Sequence, residues 1–277
     1  MSFLARIYRS FPKNRVHARF LIVFVAVAGV FVVLAFSLRP FFRDVYENTT
    51  YALDPSAQRA YDYGERHFDA TDPADYDVNR AEYFFNLAAS QNPNIPYLYH
   101  ELARISFLKG DFNTALSRID FQISTQGEKT PNSYYVRGLI EGYMGDYNAA
   151  AADYEHFLQF QPKNWAALND YAWVLLKANR YKDAYNATTR GLAFDPQNPW
   201  LLNSNAIALF EMGDLKDAKV QAQKAEDASK FVTTDMWMRA YPGNDPKIAE
   251  EGVQAFRNAT QENMHSILSA TSTHALQ

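Results

Sequence analysis

Four short strings recur along this chain at a nearly constant interval: Gly110-Asp111-Phe112, Gly145-Asp146-Tyr147, Asn179-Arg180-Tyr181 and Gly213-Asp214-Leu215, spaced 35, 34 and 34 residues apart. An alanine follows each at one fixed offset (Ala115, Ala150, Ala184 and Ala218), and Ala81 extends the ladder 34 residues upstream. Pro93, Pro162 and Pro196 close several units at one phase. A unit this short cannot bury an apolar face alone, so the units must stack on one another.

Each repeated residue type has a physical task. Gly or Asn after a helical run supplies the left-handed residue that ends a helix. Asp in the tight turn accepts hydrogen bonds from the amides that open the next helix. A small Ala lets two antiparallel helices approach closely, and Pro stops the second helix of a unit. Between these marks the apolar residues keep helical spacing, as in Leu168, Tyr171, Ala172 and Leu175, and no alternating strand-like run competes. The expected fold class is therefore all-α.

A 34-residue helix–turn–helix period with this punctuation resembles the tetratricopeptide repeat (TPR) family. With units at 96–130, 131–164, 165–198 and 199–232, the family's small first-helix residue falls on Ala103, Gly138, Ala172 and Ala206. The second-helix aromatic survives only as Tyr154, with Ile119, Thr188 and Ala222 in its place elsewhere. The resemblance implies a TPR-like solenoid of antiparallel helix pairs. Residues 56–95 read as a degenerate N-terminal unit, with helices at 57–68 and 78–91 around an overlong acidic turn. Residues 233–270 read as a C-terminal helical cap, and 271–277 as a tail.

Upstream of the array, Phe20–Leu38 is a run of nineteen residues without a charge, the length of a single transmembrane helix. It exceeds the apolar core of a cleaved signal peptide and is followed at once by Arg39-Pro40, so an uncleaved anchor is expected. Residues 39–55 are expected to link it to the array. Five Lys/Arg precede the run, and only Arg39 and Arg43 lie in the twenty residues after it. That bias places the basic tail 1–19 in the cytoplasm and the rest outside it, as in a single-pass protein of a bacterial inner membrane or cell surface.

Seven of the 27 basic residues lie in 1–43, where there is no acid, so residues 44–277 carry 20 basic and 31 acidic residues, a net charge of −11. Such a body is a poor partner for nucleic acid, which rewards Lys and Arg. The chain has no Cys, which removes thiol nucleophiles, disulfides and Cys-based metal sites. Its six His are scattered, and none of its eleven Gly forms a phosphate-binding loop. No catalytic residue, metal ligand or cofactor is expected, and no enzyme activity.

What the resemblance leaves is the concave groove lined by the first helices. The family's groove positions fall on Tyr97, Arg104, Phe107, Asn132, Tyr135, Tyr143, Asn169, Trp173, Trp200, Asn203 and Phe210. Rings interleaved with amides suit a bound protein or peptide segment, the rings filling apolar pockets while the amides meet a main chain. Over the family's full set of groove positions, which also includes Lys177, only Arg104 and Lys177 are basic, which argues against a clamp for a terminal carboxylate. The expected function is a membrane-anchored scaffold that captures a protein partner in envelope assembly, secretion or quality control. The alternative is a permanent structural subunit of a larger membrane complex.

Overall fold

A computed structural model describes the backbone of residues 15–241 and 244–274, with side chains described at all of these except 15–22, 35, 36 and 271–274. The described residues form two compact units, one ending at Pro55 and one beginning at Ser56. In the first, a single helix, α1 (Arg15–Leu53), continues through Pro40. It bends by 43° between Val23–Leu34 and Ser37–Leu53. The bend lies one turn before Pro40, where the proline ring meets the carbonyl four residues back and the helix loses a hydrogen bond. Among the described residues no single helix is long and apolar enough to cross a membrane, but the bent pair together passes on length and composition. The stretch expected as a linker at 39–55 is thus largely helical, because only Pro40 interrupts its hydrogen bonding.

The second unit is a run of helix pairs: α2 (Ala57–Phe68) with α3 (Val78–Gln91), α4 (Leu98–Leu108) with α5 (Phe112–Gln126), and α6 (Asn132–Met144) with α7 (Tyr147–Phe160). They are followed by α8 (Trp165–Lys177) with α9 (Tyr181–Leu192), and α10 (Pro199–Glu211) with α11 (Leu215–Ser229). The short α12 (Thr234–Ala240) and long α13 (Ala249–His274) close the unit. Every described element is helical, turn or irregular.

The turns explain the repeat strings. Gly110, Asn179 and Gly213 have φ of 75°, 57° and 83°, and Gly145 has φ of 92°. In each turn the next residue's N–H reaches back into the preceding helix: Asp111 to Ser106, Asp146 to Glu141, Arg180 to Leu175 and Asp214 to Leu209, at 2.8–3.0 Å. This left-handed exit satisfies carbonyls that the helix end would otherwise leave bare. Asp111 and Asp214 also cap the following helix through their side chains, whereas Asp146 and Arg180 do not.

Packing explains the alanines. Ala81, Ala115, Ala150, Ala184 and Ala218 are fully buried, as are Ala103, Ala172 and Ala206 on the facing helices. A Cβ on Gly138 would sit 3.1 Å from the Ala150 carbonyl oxygen, so the two helices of that unit run nearly backbone to backbone. Thr188, standing where the family carries an aromatic ring, accepts a hydrogen bond from Asn205 Nδ2 at 2.8 Å. Ala222 leaves room for α13, whose Met264 and Ile267 bury against Ala206, Leu209 and Ala218.

Replacing Ala150 or Ala184 with Leu should overpack the meeting of two helices and cost about 1–3 kcal/mol. Urea unfolding of the whole chain in detergent reads this directly. A change within about 0.5 kcal/mol, the range of ordinary surface substitutions, would contradict the packing described.

Candidate functional site

The first helices of successive units line a concave cavity of about 1010 Å³. Ten of the eleven residues expected there from the sequence do line it: Tyr97, Arg104, Phe107, Asn132, Tyr135, Tyr143, Asn169, Trp173, Trp200 and Asn203. Phe210 does not. It packs beside Met264 and Ile267, because α13 covers the face of the last unit that an uncapped array would leave open. Lys177 also lies outside the lining, which leaves Arg104 and Arg239 as its guanidinium groups.

The rings form a stripe across three units. Phe107 meets Tyr143 edge-on at 5.0 Å between ring centroids, and Tyr143 meets Trp173 at 5.5 Å. Tyr143 is 58% exposed, so one side of the stripe stays open to a ligand. Trp173 is seated more deeply: a Cβ on Gly142 would come within 2.8 Å of its ring, so the absent side chain is what admits the indole. Trp200 is mainly core, 4% exposed and stacked on Phe256 at 4.7 Å with Trp165 at 5.3 Å. Tyr97 holds a left-handed backbone with φ of 63°, a strained choice for a side chain of this size, and its ring stands edge-on to His100 at 5.3 Å.

The amides are partly engaged within the protein. Asn169 Oδ1 accepts from Ser204 Oγ at 2.9 Å, Asn203 Oδ1 from Asn263 Nδ2 at 2.9 Å, and Asn132 Oδ1 from Gln161 Nε2 at 3.1 Å. These bonds fix three amides around the cavity wall while leaving hydrogen-bonding capacity unused.

Two groups of charges face the cavity. At the N-terminal end Arg104 donates to Glu101 at 2.6 Å and lies over the Phe68 ring at 4.7 Å. Burial, followed by the neighbouring Glu101, pushes Glu65 up to about 7. Burial holds His100 down at about 4, so this imidazole is neutral at pH 7. On the floor stands Asp170, accepting from Tyr135 Oη at 2.5 Å and from Asn169 Nδ2 at 3.4 Å. Burial pushes Asp170 up to about 6, against the pull of those two hydrogen bonds.

Sequence reasoning missed Asp170 because it sits one residue beyond a family groove position. Its only signal was that it is the one charged residue in the mostly apolar run Trp165–Leu176. It also missed what the end units contribute to the lining: Tyr61 and Glu65 from α2, then Arg239, Tyr241, Asn244 and Phe256 from the C-terminal cap. No period announces these, because neither end unit follows the repeat. Among the described residues no group of three or more His, Asp or Glu is placed to hold a metal ion.

The fold and cavity define an all-α solenoid of repeated helix pairs with a lined concave face. Residues 143–199 match the tetratricopeptide repeat family model. A human relative, Tetratricopeptide repeat protein 6, is 26% identical over 125 residues; that match covers 44% of this chain and 23% of the relative's length. Among solved structures, MamA AMB-1 superposes with a TM-score of 0.54 at 14% identity, covering 65% of this chain and 95% of that one. A second MamA crystal structure gives 0.54 at 15% identity, covering 67% and 95%. The family model and the relative support a TPR array here, and the MamA structures share its fold.

The Asp170 shift fixes the sign of a stability effect. The folded chain holds this proton up to about pH 6, while the unfolded chain releases it near 3.8, so the group's contribution to stability falls as pH rises through that window. Asp170→Asn should therefore raise the melting temperature at pH 7 by about 2 °C or more. The gain should shrink towards about pH 4, where the carboxyl is neutral in both states. A lower melting temperature at pH 7 would show that the carboxylate stabilises the floor.

Proposed function

We propose that this chain is a membrane-anchored scaffold that holds a segment of a protein partner in its concave groove, on the extracytoplasmic side. The observation that carries the groove reading is the stripe Phe107–Tyr143–Trp173, which crosses three units with an exposed ring at its centre. A monomeric solenoid gains nothing from leaving such a ring half in water, whereas a bound chain buries it. The asparagines along the wall suit main-chain groups, so ring pockets and amides together fit an extended or helical segment.

Anchoring is supported by α1. Val23, Phe24, Val25, Val27, Val30, Phe31, Val32 and Val33 are all at least 48% exposed. A helix apolar on every side and left uncovered is suited to lipid. The basic tail before it supports the orientation proposed. In this reading the mechanism is concentration of a partner at the membrane together with groove complementarity, in service of envelope assembly, secretion or quality control. A permanent subunit of a larger complex is the alternative, and it is distinguished by a partner that never exchanges with added free partner.

Tyr143 is a better probe than Trp173, because removing Trp173 would also open its packing on Gly142. Tyr143→Ala should weaken capture of a co-purifying partner by about 2 kcal/mol, the loss expected at a hot spot. Affinity purification of the whole chain from detergent-solubilised membranes reads this, with the melting temperature as control. Unchanged capture with Tyr143→Ala would remove the groove from the account. A reporter active only outside the cytoplasm, fused after Gln277, should give signal if the orientation is right.

A further inference from the structure

We propose that the groove recognises its partner segment through a lysine or arginine side chain that seats on Asp170, among the rings of Tyr135, Tyr143, Trp173 and Tyr241. The proposal rests on the groove reading above and adds the chemistry of the partner. Tyr135 Oη and Asn169 Nδ2 occupy part of the Asp170 carboxylate, and an ionised carboxylate has about four acceptor sites in all. Among the described residues no Lys or Arg is placed to pair with Asp170, and the influences on its charge are burial and those two hydrogen bonds. Arg104, which also lines the cavity, is paired with Glu101 and acts on Tyr135 rather than on Asp170 itself. A carboxylate kept in such a place without a counter-ion costs stability, and an uncharged residue would fill it more cheaply.

The surroundings say what would complete it. Tyr143 and Tyr241 both lie within electrostatic range of Asp170, and Trp173 packs on Tyr143. Ring faces attract a cation, most strongly where water is excluded. An ammonium or guanidinium group entering here gains the carboxylate and the rings together, whereas a neutral side chain gains only part of this and an acidic one is repelled by the carboxylate. The cavity, at about 1010 Å³, is larger than one basic side chain needs, and the Phe107–Tyr143–Trp173 stripe runs on beyond it. Apolar neighbours of the basic residue would cover that stripe, so the matching segment is a Lys or Arg flanked by apolar side chains. The net charge of −11 over residues 44–277 favours approach of such a segment over an acidic one.

The test uses the whole chain in detergent micelles and a phage-displayed library of random dodecapeptides. Wild-type protein should enrich peptides with one Lys or Arg among apolar residues, and the same panning on Asp170→Asn should lose that preference. One enriched peptide is then synthesised with its lysine free or acetylated, which removes the charge alone. Acetylation should weaken binding to wild type at least about tenfold, and binding to Asp170→Asn less than about twofold. Peptides that require Tyr143 yet show no basic preference, or an acetylation loss equal in both proteins, would overturn this proposal and leave the groove reading standing. Binders indifferent to Tyr143→Ala would overturn both.

Discussion

The near-contact of two helix backbones inside each repeat is the constraint on which the rest of this unit depends. Ala150 and Gly138, Ala115 and Ala103, Ala184 and Ala172, and Ala218 and Ala206 occupy the facing positions of four successive pairs, all buried. A larger side chain there would push the helices apart. Because the period is 34–35 residues, the same close approach recurs in the same phase and the units stack with their first helices on one side. The groove is a consequence of that stacking. Its wall residues are therefore set by sequence phase, and its aromatic stripe by placing Phe107, Tyr143 and Trp173 at related positions of consecutive units.

Within that frame the groove sorts its side chains into two kinds. Trp200 stacks on Phe256 of the cap and packs against Trp165, so these rings act as core that happens to border the cavity. Tyr143 is the opposite, a large ring left mostly open. Asp170 sits between these extremes, sheltered enough to resist ionisation and yet still part of the lining. Polar groups that raise the energy of the empty protein are common where a partner completes them.

The repeat strings made the helices of 96–232 legible before any coordinates, because each mark has one physical meaning: a left-handed exit, a cap, a close approach. The helices at 57–68 and 78–91 were legible too, as a degenerate unit around an acidic turn, and the structure caps them with Ser56 and Asp77. Three features were less so. The helix through Pro40 was hidden because a proline usually ends a helix, and here it only bends one. Phe210 was misplaced because groove phase assumes an open face, and α13 covers this one. The contributions of Glu65, Arg239 and Tyr241 depend on how irregular end units fold over the array, which no local period encodes.

The central claim is that the concave face, and no other, holds the partner chain. The most direct measurement places a photo-crosslinking amino acid at Leu139, which lines the cavity, or at Phe121, which is exposed on the second-helix side. On illumination of the whole chain with its partner bound, adducts should form from position 139 and be absent from position 121. Adducts from position 121 with none from 139 would contradict the account, and the concave face would then be only the inner wall of a stacked array.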